Sequence, residues 1–306
     1  QQSNVTSYGA TTVAIITLEA FAGMWINAFI LCVLCTGWVK KKSLNSNEKI
    51  LLLLGCSRIC FLCFTWVMNF LSRIYPNYLY VHPILQLLAS FQIFFNYSNL
   101  WFSACLCVFY CIKIANFRSS FFIYLKVKID RMVPWLLLGS VLSALAMGIV
   151  TYEFAETVQR NNISVTRLGN FWEATIRMDK YFFSSFFLTG FGYAASFMAV
   201  IIAAVFLLFS LWRHKHKMQT NSMKDLSKEA HIRAMKSILS FLVMYSINFV
   251  CLILTIIYTM INENTMTLLI SIYLYAFPGV HSLILISSNP KLEKALLKIL
   301  SCVKGK

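Results

Sequence analysis

Residues 84–114 read ILQLLASFQIFFNYSNLWFSACLCVFYCIKI, an apolar and aromatic stretch that carries no charge until Lys113. Wound as a helix at about 1.5 Å per residue, it is longer than the roughly 30 Å hydrocarbon core of a bilayer. A buried helix of a soluble domain has no need of that length, so the stretch reads as a membrane span. Composition agrees. Hydrophobic residues make up 59% of the chain and charged residues 12%, against about 25% charged in an ordinary soluble domain; mean hydropathy is +0.70.

Six further stretches have the same character, over Thr12–Trp38, Ile50–Tyr75, Val133–Thr151, Phe182–Trp212, Ala234–Ile261 and Met266–Ser288. The expected fold is an all-α membrane protein, a seven-transmembrane helix bundle forming one domain over residues 1–303, with 289–306 as a short amphipathic helix and tail. Basic residues fix the expected orientation. Lys40, Lys41, Lys42 and Lys49 follow the first span, and Arg118, Lys126, Lys128 and Arg131 follow the third. Arg213, Lys215, Lys217, Lys224, Lys228, Arg233 and Lys236 lie between the fifth and sixth, and the tail adds Lys291, Lys294, Lys298, Lys304 and Lys306. That face is expected in the cytoplasm, which leaves the amino terminus outside and the carboxyl terminus inside. The opening QQSNVTSYGATT has no basic leader and does not read as a signal peptide.

The net charge of +16 is split among short loops on one membrane face, where it meets anionic lipid. A nucleic-acid-binding reading is thereby disfavoured. The ten cysteines lie in the spans or the tail, away from the outer loops where a disulfide would persist. Cys105 and Cys107 are two apart on a helix, diverge, and make a poor metal pair; no metal or cofactor is expected. Of the sequons, Asn162-Ile-Ser falls in the longest outer connection, so Asn162 is the expected glycosylation site.

Polar residues inside a span need partners. Glu19 and Asn27 lie two turns apart on one side of the first span, Arg58 interrupts the second, and His281 and Ser282 sit in the seventh. An interhelical hydrogen-bonded network of Glu19, Asn27, Arg58, His281 and Ser282 would satisfy them. It reads equally as a static clamp or as bonds exchanged between two states.

Five motifs carry a family resemblance: LLLLGCSRICF at 51–61, SNLWFSACLCVFYCIKIANF at 98–117, LLFSLWRHKHKMQ at 207–219, EAHIRAMKSILSFL at 229–242 and HSLILISSNPKLEKALLKIL at 281–300. In this order and spacing the chain resembles the type 2, or bitter, taste receptors. The rhodopsin-like signatures differ: the third span ends in Phe-Tyr-Cys-Ile-Lys where Asp-Arg-Tyr would stand, and His-Ser-Leu-Ile-Leu replaces Asn-Pro-x-x-Tyr. The resemblance implies a G-protein-coupled plasma-membrane receptor for bitter small molecules, signalling through gustducin or an inhibitory-type G protein to phospholipase C and calcium. It also places Tyr110 and Lys113 at the G-protein face, where Lys113 would otherwise only snorkel to headgroups. His214, Lys217 and His231 bracket the third cytoplasmic connection and are assigned to the same face, and KDLSKEAHIRAMK reads as a helix start capped by Asp225 or Ser227.

Register with the family makes Asn69, Gln92, Asn96, Thr189, Asn248 and Ser271 the ligand-binding candidates, with sterol or lipid as a further occupant of the pocket. Three positions depart from the family: Gln92, where several members carry tryptophan; Asn248, where many carry an aromatic; and Ser196, where proline is usual. Few acidic residues lie near the outer pocket, which points to small, mostly neutral amphipathic compounds. A transporter or channel would line charges in file or break its spans with Gly and Pro, whereas Glu19, Arg58 and His281 are isolated. An intramembrane hydrolase is disfavoured too, because His281 has no span aspartate to orient it.

Overall fold

The computed structural model describes residues 2–114, 120–161, 179–218, 239–240, 242–254 and 264–304. The regular structure in those residues is α-helix: α1 (Gln2–Lys41), α2 (Ser46–Ile74), α3 (Pro76–Leu79), α4 (Ile84–Ile114), α5 (Ser120–Asn161), α6 (Asp179–Met218), α7 (Leu242–Leu254), α8 (Asn264–Ser288) and α9 (Pro290–Lys304). Apolar segments in α1, α2, α4, α5 and α6 are long enough to cross a membrane, and α7 with the apolar part of α8 are shorter. Together these helices make a seven-helix bundle, with α3 a single turn between α2 and α4 and α9 following α8.

α4 is the axis. It packs against α5, α2 and α6, while α1 packs against α2 and α8. One apolar cluster fills the end of the bundle that carries Lys40 and Lys41, built around Leu34, Leu51, Leu54, Leu106, Ile129 and Leu292. A second joins α4, α6, α7 and α8 through Leu100, Val200, Ala204, Leu207, Tyr245 and Phe277. The outer surface is apolar as well: Trp25 and Trp135 are 75% and 74% exposed. Large rings turned outward from a packed interior are what lipid as solvent permits and water does not.

Local chemistry fixes the helix ends on the basic side. The Asn45 amide donates to Glu48 Oε2 at 3.1 Å, closing the first turn of α2. The other oxygen, Glu48 Oε1, accepts from Lys291 Nζ at 2.5 Å, so one carboxylate both caps α2 and anchors α9. The break between α8 and α9 comes at Asn289-Pro290. There Asn289 Oδ1 accepts the Lys291 amide at 3.0 Å, and proline occupies the first helical position, where a missing N–H does no harm. Lys291 lies over Gly37, where a Cβ would stand 2.5 Å from Nζ.

α1 and α8 meet at glycines. A Cβ on Gly279 would lie 3.3 Å from the Gly23 Cα, a backbone atom that no rotamer change can move. Small residues at such a crossing let two membrane helices approach closely enough for side chains on either side of it to bond. The α6 helix runs continuously through Ser196, whose hydroxyl donates to the Tyr193 carbonyl at 2.9 Å. A proline at this position would kink the helix.

Gly279→Leu is expected to separate α1 from α8 and lower the melting temperature of the purified chain by several degrees, since overpacking a close contact costs about 1–3 kcal/mol. Gly139→Ala, at a site where a Cβ meets nothing within 4 Å, should leave it unchanged or raise it slightly in the same thermal-unfolding assay.

Candidate functional site

At the centre of the bundle is Arg58, wholly buried on α2. A guanidinium has five N–H donors and no acceptor, and removal from water without partners is prohibitive. Its Nε donates to Asn99 Oδ1 at 2.9 Å and its Nη1 to Ser282 Oγ at 2.6 Å. Nη2 reaches Ser103 Oγ at 3.5 Å and His281 Nδ1. All four partners are neutral acceptors, and none is a carboxylate. Because His281 Nδ1 accepts, the ring carries its proton on Nε2.

The partners come from two other helices. Asn99 and Ser103 are one turn apart on α4 and so share a face; His281 and Ser282 lie on α8. Ser282 Oγ faces Asn27 Oδ1 of α1 at 2.7 Å and the Pro278 carbonyl at 2.8 Å, while Asn27 Nδ2 donates to the Gly23 carbonyl at 2.8 Å. Edge-on against His281, with centroids 6.5 Å apart, is Tyr245 of α7, whose hydroxyl donates to the Leu100 carbonyl of α4 at 2.9 Å. Five helices thus converge on one cation.

Of the residues expected in this network, the structure brings Asn27, Arg58, His281 and Ser282 together. Glu19 is a correction. It lies eight residues before Asn27, about 12 Å further along the helix axis, and the buried Glu19 Oε2 has no hydrogen-bond partner among the described residues.

Away from the basic end, the candidate ligand residues fall into two groups. Asn69 donates to the Thr65 carbonyl at 2.9 Å and to the Tyr275 hydroxyl at 3.3 Å, and Gln92 Nε2 donates to Thr65 Oγ1 at 3.2 Å, so these two residues line the α2, α4 and α8 side. On the other side, Asn96 Nδ2 donates to the Tyr193 hydroxyl of α6. Tyr193 also borders a cleft of about 170 Å³ with Leu100, Ser196, Phe197, Tyr245, Asn248, Phe249 and Leu252. Phe197 and Phe249 are stacked at 4.2 Å across it. Even with its open mouth counted, the cleft is smaller than the roughly 300–1,000 Å³ of drug-sized ligand sites. The stacked rings close it. Thr189 and Ser271 lie on α6 and α8, but their side chains are outside the described residues.

At the basic end, Lys113 Nζ pairs with Asp130 Oδ2 of α5 at 2.6 Å, with side chains 37% and 52% exposed. Exposed pairs of this kind contribute about 1 kcal/mol or less. Tyr110, one turn earlier, lies beside Asn47 at the start of α2, and Asp130 lies beside Ser46. Lys113 is thus a link between helices, and Asp130 is a partner that the hydropathy pattern gave no reason to single out. His214 and Lys217 fall at the end of α6 with side chains outside the described residues, as do His231, Asn162 and the helix start expected at Asp225 or Ser227 altogether.

The family model described as "Taste receptor protein (TAS2R)" matches residues 5–304, nearly the whole chain. The chain belongs to the taste receptor type 2 family. It is 33% identical to taste receptor type 2 member 9 of Papio hamadryas over 97% of this chain and 95% of that one. It is 30% identical to taste receptor type 2 member 7 of Macaca mulatta, over 97% and 96%. The fold is similar to the crystal structure of squid rhodopsin, with a TM-score of 0.64 at 11% identity, covering 97% of this chain and 86% of that one. This is therefore a bitter taste receptor with the G-protein-coupled receptor fold, a multi-pass protein of the plasma membrane, and its family is one of receptors, not enzymes.

Two functional neighbours in this receptor were missed from the sequence, Asn99 and Ser103. Their signal was present: an i, i+4 polar pair in the otherwise apolar NLWFS segment has to face something polar. The cysteines two apart diverge as helix geometry requires, Cys105 toward Ser140 of α5 and Cys107 toward the Val200 carbonyl of α6.

Ser282→Ala should destabilise the receptor by about 2–4 kcal/mol, because it strands an Arg58 donor and removes the bond to Asn27. Ser287→Ala, in an exposed position on the same helix, should be neutral. Thermal unfolding of the two purified variants checks this.

Proposed function

We propose that the receptor detects small, mostly neutral amphipathic bitter compounds and signals through gustducin or another inhibitory-type G protein, with phospholipase C activation and calcium release downstream. The observation that carries the reading is the family match over residues 5–304 together with a bundle centred on a cation held by neutral acceptors. In this reading the basic end faces the cytoplasm and the amino terminus lies outside, with Asn162 glycosylated.

Ligands enter between α2, α4, α6, α7 and α8, where Asn69, Gln92, Asn96, Thr189, Asn248 and Ser271 supply amide and hydroxyl groups among aromatic walls. Lipid, sterol included, competes for the same apolar space. Opening the Phe197–Phe249 stack moves α6 against α7, and the Tyr245 ring carries that movement to His281 and the Arg58 node. The bundle state with an open cytoplasmic cleft is thereby favoured, which is a population shift driven by differential affinity. Tyr110, Lys113, His214, Lys217 and His231 then meet the G protein, with Lys113 released from Asp130.

The test is a calcium response in cells that co-express this receptor and a promiscuous G-protein α subunit, across a chemically varied bitter panel. A dose-dependent response absent from mock cells is expected. Silence at confirmed surface expression across the panel contradicts the reading and returns weight to a transporter or channel.

With a responding compound in hand, Asn96→Ala should shift potency by about three- to tenfold at unchanged expression, the worth of one hydrogen bond. Lys113→Ala should lower the maximal response while ligand binding is retained. Unshifted potency would remove Asn96 from the pocket, and a parallel loss of surface receptor would make Lys113 a folding residue.

A further inference from the structure

Glu19 sits on α1 one turn before Gly23, and Tyr275 sits on α8 one turn before Gly279. The two glycines are where α1 and α8 touch, so the residues four positions back on each helix flank the same crossing. Tyr275 is also joined to α2, since its hydroxyl accepts from Asn69 Nδ2. Glu19 is close enough to Tyr275 to act on it electrostatically, which puts carboxylate, phenol and amide in one neighbourhood.

The chemistry of that neighbourhood is unbalanced. Glu19 Oε2 is buried, and no donor reaches it among the described residues. Asn69 spends its amide hydrogens on Thr65 and Tyr275, which leaves its Oδ1 as an acceptor. The Tyr275 oxygen is an acceptor in the bond that it makes, and its own O–H does not reach Glu19 Oε2. Thr17, two residues from Glu19, accepts from Trp66 Nε1 at 3.0 Å, so the nearby indole donor is already used. Arg73 lies one turn beyond Asn69 at the exposed end of α2 and also acts on Tyr275, yet it forms no ion pair with Glu19. What such a site lacks is a compact cation bearing several N–H donors.

We propose that Glu19, Asn69 and Tyr275 form a subsite for the protonated amine of a ligand whose apolar body lies toward Gln92. A primary ammonium supplies three donors to this set of acceptors and neutralises the carboxylate with charge-assisted bonds. The scarcity of acids near the outer pocket pointed to neutral compounds; the placement of Glu19 gives this corner the opposite preference. Arg73 at the exposed end of α2 repels the same cation, but from a position where salt screens it. Asn69 and Tyr275 are readable as direct contacts, and Glu19 sets the charge selectivity.

The inference rests on the receptor reading above for its biological meaning, so it is tested by binding, which requires no signalling. Tryptamine and tryptophol share an indole-ethyl body and differ in ammonium against hydroxyl. Thermal shifts of the purified full-length receptor in a zwitterionic detergent, titrated with each, give apparent affinities. The expected result is tighter binding of tryptamine by about tenfold or more, the worth of charge-assisted bonds to a half-buried carboxylate. That preference should fall to near parity in Glu19→Gln and be reduced in Tyr275→Phe, a variant that keeps the ring and serves if Glu19→Gln does not fold. Equal affinities in the unmodified receptor, no binding of tryptamine, or a preference that survives Glu19→Gln each overturn the proposal. Equal affinities are also what a Glu19 that holds its own proton would give. A selective thermal shift without any calcium response would sink the signalling reading and leave the subsite standing.

Discussion

A positive charge buried at the centre of a membrane bundle dictates how the rest of this receptor is built. Among the described residues Arg58 has no carboxylate beside it, so its stabilisation is distributed over Asn99, Ser103, His281 and Ser282. No one of these neutral acceptors offsets the burial of a guanidinium; together they satisfy most of its donors. The close approach of α1 and α8 at Gly23 and Gly279 follows from the same need, because Ser282 must reach both Arg58 and Asn27.

Distribution over neutral partners has a functional side. A buried ion pair is strongly bound in one geometry, and removing either partner leaves an uncompensated charge. Hydroxyls, an amide and an imidazole can rotate or exchange bonds with smaller penalties, so a set of them around one cation suits a bundle with two arrangements. The same logic separates the two ends of the proposed mechanism. The proposed route runs from the Phe197–Phe249 cleft through Tyr245 to the node, and along α2 and α4 to the basic end, where Lys113 pairs with Asp130 of α5.

Much of this architecture was legible in the residues. Apolar stretches longer than a bilayer is thick have no stable alternative to spanning it, so the helical membrane fold was readable from length alone. Arg58, Asn27, His281 and Ser282 were findable because a polar group within a span must have a partner. Glu19 failed by the same rule applied without regard to distance: two turns of helix separate it from the node, and shared facing does not imply contact. Asp130 escaped because it sits among basic residues outside the apolar stretch, where periodicity carries no information about pairing across helices. Ser196 shows a different limit, since a departure from the family's proline says what the chain lacks and not how α6 continues through it. The cleft beside Tyr193 was the least readable, because its volume depends on the stacking of Phe197 on Phe249, a contact between helices far apart in sequence.

Arg58 and its neutral partners hold the centre of the bundle by acting as a unit. A double-mutant cycle on thermal stability, with Arg58→Met, Asn99→Leu and the two combined, measures that directly. Each single change is expected to destabilise the receptor, one by stranding acceptors and the other by stranding a donor, and the double variant to recover most of the loss because cation and amide leave together. Additive losses would contradict the account, since they would mean that Arg58 and Asn99 contribute independently and that the centre of the bundle is held by something else.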